Sequence, residues 1–305
     1  MKIISLCALI SLLLAPALHS QTSIQDRILN AYFGALVLQH EIDAKVKTQL
    51  ENLSPVLAKQ YEDLIQLGSQ EDALLQWTYF YEKLERLAGG PAAAELCREG
   101  QRADWLVRRF KVFRLVDTAS QSVIDTAQSL HRLSFFNVEN GDRVAEVGFG
   151  YGFNLNLLST VYEDIEIYAN ELNIHYLTKM EKQVQEHMPA NRRDNFRYIT
   201  GAPQSTNLEG YDLDLIIMEN VLHHVEDKTT FLNSLAKSIH KKGEIVIIEE
   251  FKSSRPGYHK CPDLMWRPEM DQLFKTAGFR LAGYSEIGAQ FKTMLRFVRD
   301  GEEEK

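Results

Sequence analysis

Apolar residues near the start of the chain follow a helical period. At alternating spacings of four and three residues stand Ile24, Ile28, Ala31, Ala35, Leu38 and Ile42. That stripe is typical of an amphipathic helix that packs one face against a neighbour. Pro55 and Gly68 interrupt the pattern. Further helices are predicted over residues 71–91, 104–116 and 118–133. We therefore predict an all-helical N-terminal domain over residues 21–136.

The pattern changes after Asn140-Gly141-Asp142, a turn signal. Strands are predicted over residues 143–147, 166–170, 196–200, 213–218, 244–249, 280–284 and 293–298, and helices over 153–161, 174–187 and 228–240. This alternation favours an α/β fold with right-handed crossovers, in which the sheet is doubly wound and mainly parallel. The linker between the last two strands is too short for a helical crossover, so we predict a seven-stranded sheet whose last strand is antiparallel.

The α/β domain is predicted to cover residues 137–300, followed by an acidic tail at 301–305. The formal net charge of −8 and the pI near 5.7 argue against nucleic acid as the main partner, because that binding relies on clustered Lys and Arg. The most basic stretch contains Arg102, Arg108, Arg109, Lys111 and Arg114. It would suit an anionic acceptor or a membrane surface, but the solvated face of a helix is the favoured interpretation.

Residues 1–20 have the layout of a secretory signal peptide, with a basic Lys2, an apolar run over 3–14, and then Pro16 and small residues. The run is short for a membrane span, which needs about 20 apolar residues. We predict an exported protein, periplasmic or secreted, without a stable membrane span after cleavage; the alternative is an uncleaved N-terminal anchor. Cleavage would leave Cys97 and Cys261, and the sequence leaves open whether they pair.

The stretch EVGFGYG, residues 146–152, follows the first predicted strand. Gly148, Gly150 and Gly152 let the backbone approach a ligand beyond the carboxyl end of a parallel strand. A dinucleotide fingerprint would need its third glycine where Phe153 stands, and Glu146 would place a carboxylate beside a pyrophosphate. The spacing and the charge therefore favour a donor that carries an ammonium and a sulfonium and no phosphate.

Four stretches, in this order, carry a family resemblance: EVGFGYG, YDLDLIIMENVLHHVED, KKGEIVIIEEF and LFKTAGFRLAGYSEIG. They resemble the first motif, the fourth-strand segment, the fifth strand and the sixth-strand region of class I S-adenosylmethionine-dependent methyltransferases, whose fold is Rossmann-like. The resemblance covers about residues 137–300 and excludes the helical N-terminus. It implies S-adenosyl-L-methionine as the cofactor.

The resemblance also implies roles for single residues. Glu171 matches the acidic residue that accepts hydrogen bonds from both ribose hydroxyls, and the alternative is an exposed charge at a strand end. Glu146 would hold the glycine loop and the donor's amino end, or would cap the next helix. Glu219 and Asn220 would line the donor or acceptor pocket.

One position departs from the family pattern. An acidic residue commonly follows the third strand and binds the adenine amino group, but this chain has Gly201-Ala202-Pro203-Gln204. Either the amide of Gln204 or a backbone carbonyl at Ala202 replaces that residue, or adenine binding is weaker.

Methyl transfer is an in-line displacement that needs a base only when the nucleophile is protonated. His223 and Glu219 are the candidate catalytic residues, although the favoured alternative is that His223 bonds the backbone and His224 packs under the sheet edge. Adjacent histidines rarely share a metal within a helix, so no metal is predicted. The long connection after the fifth strand would line the acceptor pocket with Tyr258, His259 and Trp266, or form a plain surface loop.

Together these patterns predict a methyltransferase that acts on a small or medium acceptor other than nucleic acid. The helical domain would cover the pocket or pair two copies as a homodimer. Two alternatives are an exported, non-catalytic ligand-binding protein with the same fold, and an interaction module built on the helical domain. Because S-adenosylmethionine is made in the cytosol, the predicted export conflicts with the enzyme hypothesis. The joint presence of Glu146, the three glycines and Glu171 favours the enzyme.

Overall fold

The computed structural model of the protein describes residues 23–67, 71–110, 123–252, 261–287 and 292–301. The predicted signal peptide at 1–20 lies outside the described residues. So do residues 302–305 of the predicted tail, and Tyr258 and His259 of the predicted acceptor pocket.

The N-terminal region is helical, as predicted, and its helices are α1 Ile24–Leu53, α2 Pro55–Leu67, α3 Glu71–Glu85, α4 Gly90–Arg109 and α5 Val123–Phe136. The side chain of Ser23 caps α1 by accepting a hydrogen bond from the Asp26 amide at 3.2 Å. The predicted helix start at residue 104 was wrong. Gly100 does not break the helix, so α4 continues through Asp104 to Arg109, and its small buried residues Ala93, Ala94 and Ala103 let it pack along α1.

The sheet contains β1 Arg143–Val147, β2 Glu166–Glu171, β3 Phe196–Thr200, β4 Leu213–Glu219, β5 Ile239–Glu250, β6 Phe279–Ile287 and β7 Lys292–Arg299. Its strand order is β3-β2-β1-β4-β5-β7-β6. Pairings from β3 through β5 are parallel, whereas β7 lies between β5 and β6 and pairs with both in antiparallel fashion. The predicted sheet, including its antiparallel last strand, is confirmed.

The α/β part also contains α6 Phe153–Val161, α7 Ile174–His187, α8 Ala190–Arg193, a 3-10 turn Leu222–His224, α9 Lys228–Ser238 and α10 Arg267–Thr276. The predicted helix over 228–240 is two residues too long. Ile239 already pairs with Leu213 of β4, so the ladder begins there and β5 starts five residues earlier than predicted.

Alternate residues of the strands belong to two hydrophobic cores, one on each face of the sheet. Val144 of β1 and Ile217 of β4 face α6 and α7, whereas Ala145 and Ile216 face α9 and α10. The first core also takes in residues of the N-terminal helices: Ile28, Ala31, Ala35, Leu106, Phe110, Leu133 and Phe136. Apolar packing is therefore continuous across the predicted domain boundary between residues 136 and 137. A separate helical core contains Leu50, Leu57, Tyr61, Trp77 and Phe80.

Cys97 lies buried in the helical core, Cys261 is half-buried after β5, and both are free thiols. The pairing that the sequence left open is therefore not formed. Within the described ranges, no helix combines the length and the apolar character that a membrane crossing requires.

Candidate active site

The glycine loop follows β1 at the switch point of the sheet, where the chain turns from β1 toward β2 on one side and from β4 toward β5 on the other. Gly148, Gly150 and Gly152 all have positive φ, at 68°, 53° and 71°. A Cβ on Gly148 would lie 2.5 Å from Val221 Cγ2, whereas a Cβ on Gly150 would meet nothing within 4 Å. Close packing therefore requires glycine at 148, and Gly150 presents its backbone to open space.

Glu171, at the end of β2, is held against this loop. Its Oε2 accepts a hydrogen bond from the Gly150 amide at 3.1 Å, and its Oε1 accepts from the amides of Leu172 and Asn173 at 2.9 and 3.1 Å. Three amides thus fix the carboxylate beside the loop. Since each carboxylate oxygen can accept more than one hydrogen bond, Oε2 keeps capacity for a ligand hydroxyl.

Glu146 is a buried carboxyl in the middle of the site. Asn154 Nδ2 donates to its Oε1 at 2.7 Å, and the Leu155 amide at the start of α6 donates to its Oε2 at 3.2 Å. Burial, aided by the nearby charge of Glu219, raises the pKa of Glu146 to about 8. In this structure Glu146 caps α6 and supports the loop from beneath.

Glu219 is the last residue of β4, and two cationic side chains contact its carboxylate. Arg132 Nη1 and Nη2 donate to its two oxygens at 2.7 and 3.0 Å, and Lys292 Nζ lies 2.9 Å from Oε1. Burial raises the pKa of Glu219, but hydrogen bonds and charge from Arg132 and Lys292 outweigh it and lower the pKa to about 2. A carboxylate so stabilised is a poor general base, so the geometry favours the pocket-lining role predicted for Glu219 over the catalytic one.

Asn154 joins the two carboxyl groups, because its Nδ2 lies 2.7 Å from Glu146 Oε1 and 3.0 Å from Glu219 Oε2. Their environments move the two pKa values in opposite directions. The site therefore holds one ionised carboxylate that is paired with cations and one carboxyl that retains its proton near neutral pH.

The remaining predicted donor residues lie along the same edge of the sheet. Ala202 and Ser205 form an isolated bridge, and Gln204 is exposed in the turn between them. Gly201 donates its amide to the Glu171 carbonyl at 3.0 Å, which places this turn next to the end of β2. Asn220 is exposed and has φ of 55°.

His223 and His224 lie in the 3-10 turn after β4. His223 is buried, and its Nδ1 lies 2.7 Å from Oε2 of the buried Glu249 at the end of β5. Glu249 Oε1 accepts hydrogen bonds from the amides of Val221 and Leu222, each at 3.1 Å. The favoured interpretation was wrong in both details, because His223 bonds a carboxylate and His224 is exposed. A buried glutamate that orients an imidazole is the arrangement that supports a base.

Other predicted residues lie outside this cluster. Trp266 is 43% exposed and precedes α10. Arg102 pairs with Glu99 and donates to the Glu186 carbonyl of α7, and its side chain is only 11% exposed. Arg109 is half-buried and donates to Asn156 of α6. The predicted solvated face was therefore wrong, because this part of α4 packs against the α/β part of the chain. Lys111 and Arg114 lie outside the described residues.

Sequence reasoning missed three members of the site: Arg132, Asn154 and Lys292. A signal existed for Arg132, because its charge interrupts the apolar pattern of α5. Glu249 stood at a predicted strand end, but its contact with His223 joins β4 to β5 and depends on the pairing of those strands. No local pattern indicates that Lys292 reaches Glu219.

Comparisons with known proteins agree with this geometry. The sheet order, with its antiparallel seventh strand, is the class I methyltransferase fold. Residues 145–247, from β1 into β5, match the methyltransferase domain family. The match supports an S-adenosylmethionine-dependent methyltransferase in general, with S-adenosylmethionine as the cofactor. Among curated proteins, the chain has no sequence match.

Solved structures resemble part of the chain. A SAM-dependent methyltransferase from Aquifex aeolicus shares 21% identity over 61% of this chain and 96% of that one, with a TM-score of 0.49. The cyclase SpnF shares 10% identity over 60% and 85%, with a TM-score of 0.50. An arsenic(III) S-adenosylmethionine methyltransferase from Chlamydomonas reinhardtii shares 19% over 54% and 66%, with a TM-score of 0.43. At these identities the likeness concerns the fold alone.

Proposed function

We propose that the protein transfers a methyl group from S-adenosylmethionine to a small or medium acceptor that is not a nucleic acid. The observation that carries the proposal is the 3.1 Å hydrogen bond from the Gly150 amide to Glu171 Oε2. It joins the open face of the glycine loop to a carboxylate at the neighbouring strand end. A donor with a ribose and no phosphate fits that pair, because the carboxylate can accept from hydroxyl groups but would repel a pyrophosphate.

Different residues would bind different parts of the donor. Glu171 would accept hydrogen bonds from the ribose hydroxyls, and the Gly150 backbone would lie against the sugar and the methionyl chain. The carboxyl groups of Glu146 and Glu219 would lie near the donor's amino end. Either backbone groups of the Ala202–Ser205 turn or the exposed amide of Gln204 would contact the adenine. Gln204 is the residue of that turn with a side-chain amide. When bound, the donor supplies an electrophilic methyl group.

The acceptor would approach from the side of β4 and β5. His223 stays the predicted base for an acceptor that must lose a proton, and Glu249 would hold its ring by accepting the Nδ1 hydrogen at 2.7 Å. For an acceptor that is already nucleophilic, alignment and exclusion of water would supply the rate.

One observation favours the second candidate, an exported binding protein that retains the fold. The turn after β3 has no carboxylate between Gly201 and Gln204, so the usual partner of the adenine amino group is missing. Weak adenine recognition would suit a changed ligand.

Isothermal titration of the protein with S-adenosylmethionine and with S-adenosylhomocysteine tests the proposal. We expect micromolar binding that falls about 10- to 100-fold in Glu171→Ala, since a hydrogen bond to a charged group contributes about 1.5–3 kcal/mol. Glu181→Ala, which removes an exposed carboxylate on α7, is the matched control and should bind like wild type. Absence of binding at millimolar donor would favour the second candidate.

A further inference from the structure

Three metal-ligating side chains meet just after the end of β4. One ligand atom each from His223, His224 and Cys261 lie within 4.8 Å of one another. The 3-10 turn brings the two imidazole rings together, with centroids 3.9 Å apart. In an α-helix, adjacent residues point about 100° apart, and that geometry was the reason to predict no metal.

Each histidine has a carboxylate beside it. His223 Nδ1 lies 2.7 Å from Glu249 Oε2, and His224 Nδ1 lies 3.9 Å from Asp263 Oδ2. Metal-binding histidines almost always donate their second ring hydrogen to a carboxylate, a carbonyl or water. Because Glu249 engages Nδ1 of His223, Nε2 is the nitrogen left for a metal.

Cys261 is anchored near the histidines by the segment that follows it. Leu264 and Met265 are buried, and the Met265 carbonyl accepts a hydrogen bond from the Lys252 amide at 2.8 Å, next to the end of β5. Cys261 itself is half-buried and forms no disulfide. A thiol on an anchored segment beside two imidazoles is available as a thiolate ligand.

We infer that His223, His224 and Cys261 bind one divalent cation of the Zn²⁺ class. Two imidazoles and a thiolate suit Zn²⁺ rather than Mg²⁺ or Ca²⁺, which prefer oxygen ligands. Tetrahedral Zn²⁺ with bonds of about 2.0–2.3 Å holds its ligands about 3.3–3.8 Å apart, so the cluster has to contract slightly. The exposed His224 and the half-buried Cys261 can rotate to do so.

Three protein ligands leave a fourth position, as in catalytic rather than structural zinc sites. A hydroxyl or thiol of the acceptor bound there would have a lower pKa and would release its proton to solvent. His223 would then act as a ligand, and the cation would replace it as the group that activates the acceptor. Cation binding itself is independent of the donor, whereas this role in acceptor binding rests on the proposed function.

The test uses the full chain without an affinity tag, stripped of metal under reducing conditions and titrated with Zn²⁺ alone and with Co²⁺ alone. We expect one Zn²⁺ per chain, and with Co²⁺ a near-ultraviolet thiolate charge-transfer band. Cys261→Ser should abolish that band and weaken Zn²⁺ binding more than about 100-fold, since loss of even an outer partner weakens affinity about 10- to 100-fold. His224→Gln should weaken binding similarly.

A matched variant controls for other imidazoles. His175→Gln should bind like wild type, and Glu249→Gln should weaken binding about 10- to 100-fold by misorienting His223. Absence of stoichiometric Zn²⁺ binding would overturn the proposal, as would binding that Cys261→Ser and His224→Gln leave unchanged. Zn²⁺ binding without S-adenosylmethionine binding would refute the proposed function and leave the metal site standing.

Discussion

Arg132 of α5 and Glu219 of β4 form a two-point ion pair, with Nη1 to Oε2 at 2.7 Å and Nη2 to Oε1 at 3.0 Å. Their side chains are 7% and 17% exposed. The pair ties a helix before the sheet to the strand end that borders the glycine loop. The last N-terminal helix is therefore part of the site's framework as well as of the shared core.

Arg132→Ala should destabilise the protein strongly. Removal of one partner of a buried ion pair leaves the other charge uncompensated, which lowers the free energy of unfolding by about 3–5 kcal/mol. Urea denaturation measures the change. Arg86→Ala, which breaks the solvent-exposed pair with Glu82, should lower the free energy of unfolding by less than about 1 kcal/mol. Equal effects of the two substitutions would contradict the framework role of Arg132.

Glu146→Gln should change how stability depends on pH. The pKa of Glu146 is about 8 in the folded protein and 4.5 ordinarily, so the folded state binds the extra proton between these values. This stabilisation is fully present below about pH 4.5 and is lost as pH rises through about 8, at no more than about 1.4 kcal/mol per pH unit. In thermal unfolding, the melting temperature of Glu146→Gln should therefore increase relative to that of wild type as pH rises. A difference that stays constant with pH would show that Glu146 is ionised throughout.

Two glycine substitutions separate packing from ligand approach. Gly148→Ala should destabilise the fold more than Gly150→Ala, because its Cβ would lie 2.5 Å from Val221 whereas that of Gly150 meets nothing within 4 Å. Both carry the penalty of about 1–2 kcal/mol for a side chain at positive φ. Gly150→Ala should nevertheless abolish donor binding in calorimetry. Wild-type affinity in a folded Gly150→Ala would place the donor elsewhere.

The native N-terminus tests the predicted export. We expect N-terminal sequencing of the native protein to begin shortly after Ala17, Ser20 or Gln21, where small residues follow the apolar run. A chain that still begins at Met1 would rule out cleavage and leave the N-terminal anchor as the alternative.

The fold was largely predictable because apolar residues recur at clear strand and helix spacings in the α/β part. The bounds predicted for β1, β3, α6 and α7 match the structure, since turn residues mark their ends. The start of β5 was missed because residues 239–243 are polar except for Ile239, and only their pairing with β4 makes them a strand.

The site was predictable only as far as it is local in sequence. The glycine loop and Glu171 follow consecutive strands, so one crossover brings them together. Contacts of Arg132 with Glu219 and of His223 with Glu249 span 87 and 26 residues, and their geometry depends on tertiary packing. The metal cluster needed the 3-10 turn, which no pattern distinguishes from the first turn of an α-helix.

The most direct test of donor binding combines one protein variant with one ligand variant. Wild type and Glu171→Ala are each titrated with S-adenosylhomocysteine and with its 2′-deoxyribose analogue. If Glu171 binds the ribose, the analogue should bind wild type about 10-fold more weakly and should bind Glu171→Ala no more weakly than the parent ligand. Equal losses for the analogue in both proteins would contradict ribose recognition by Glu171, and with it the proposed donor site.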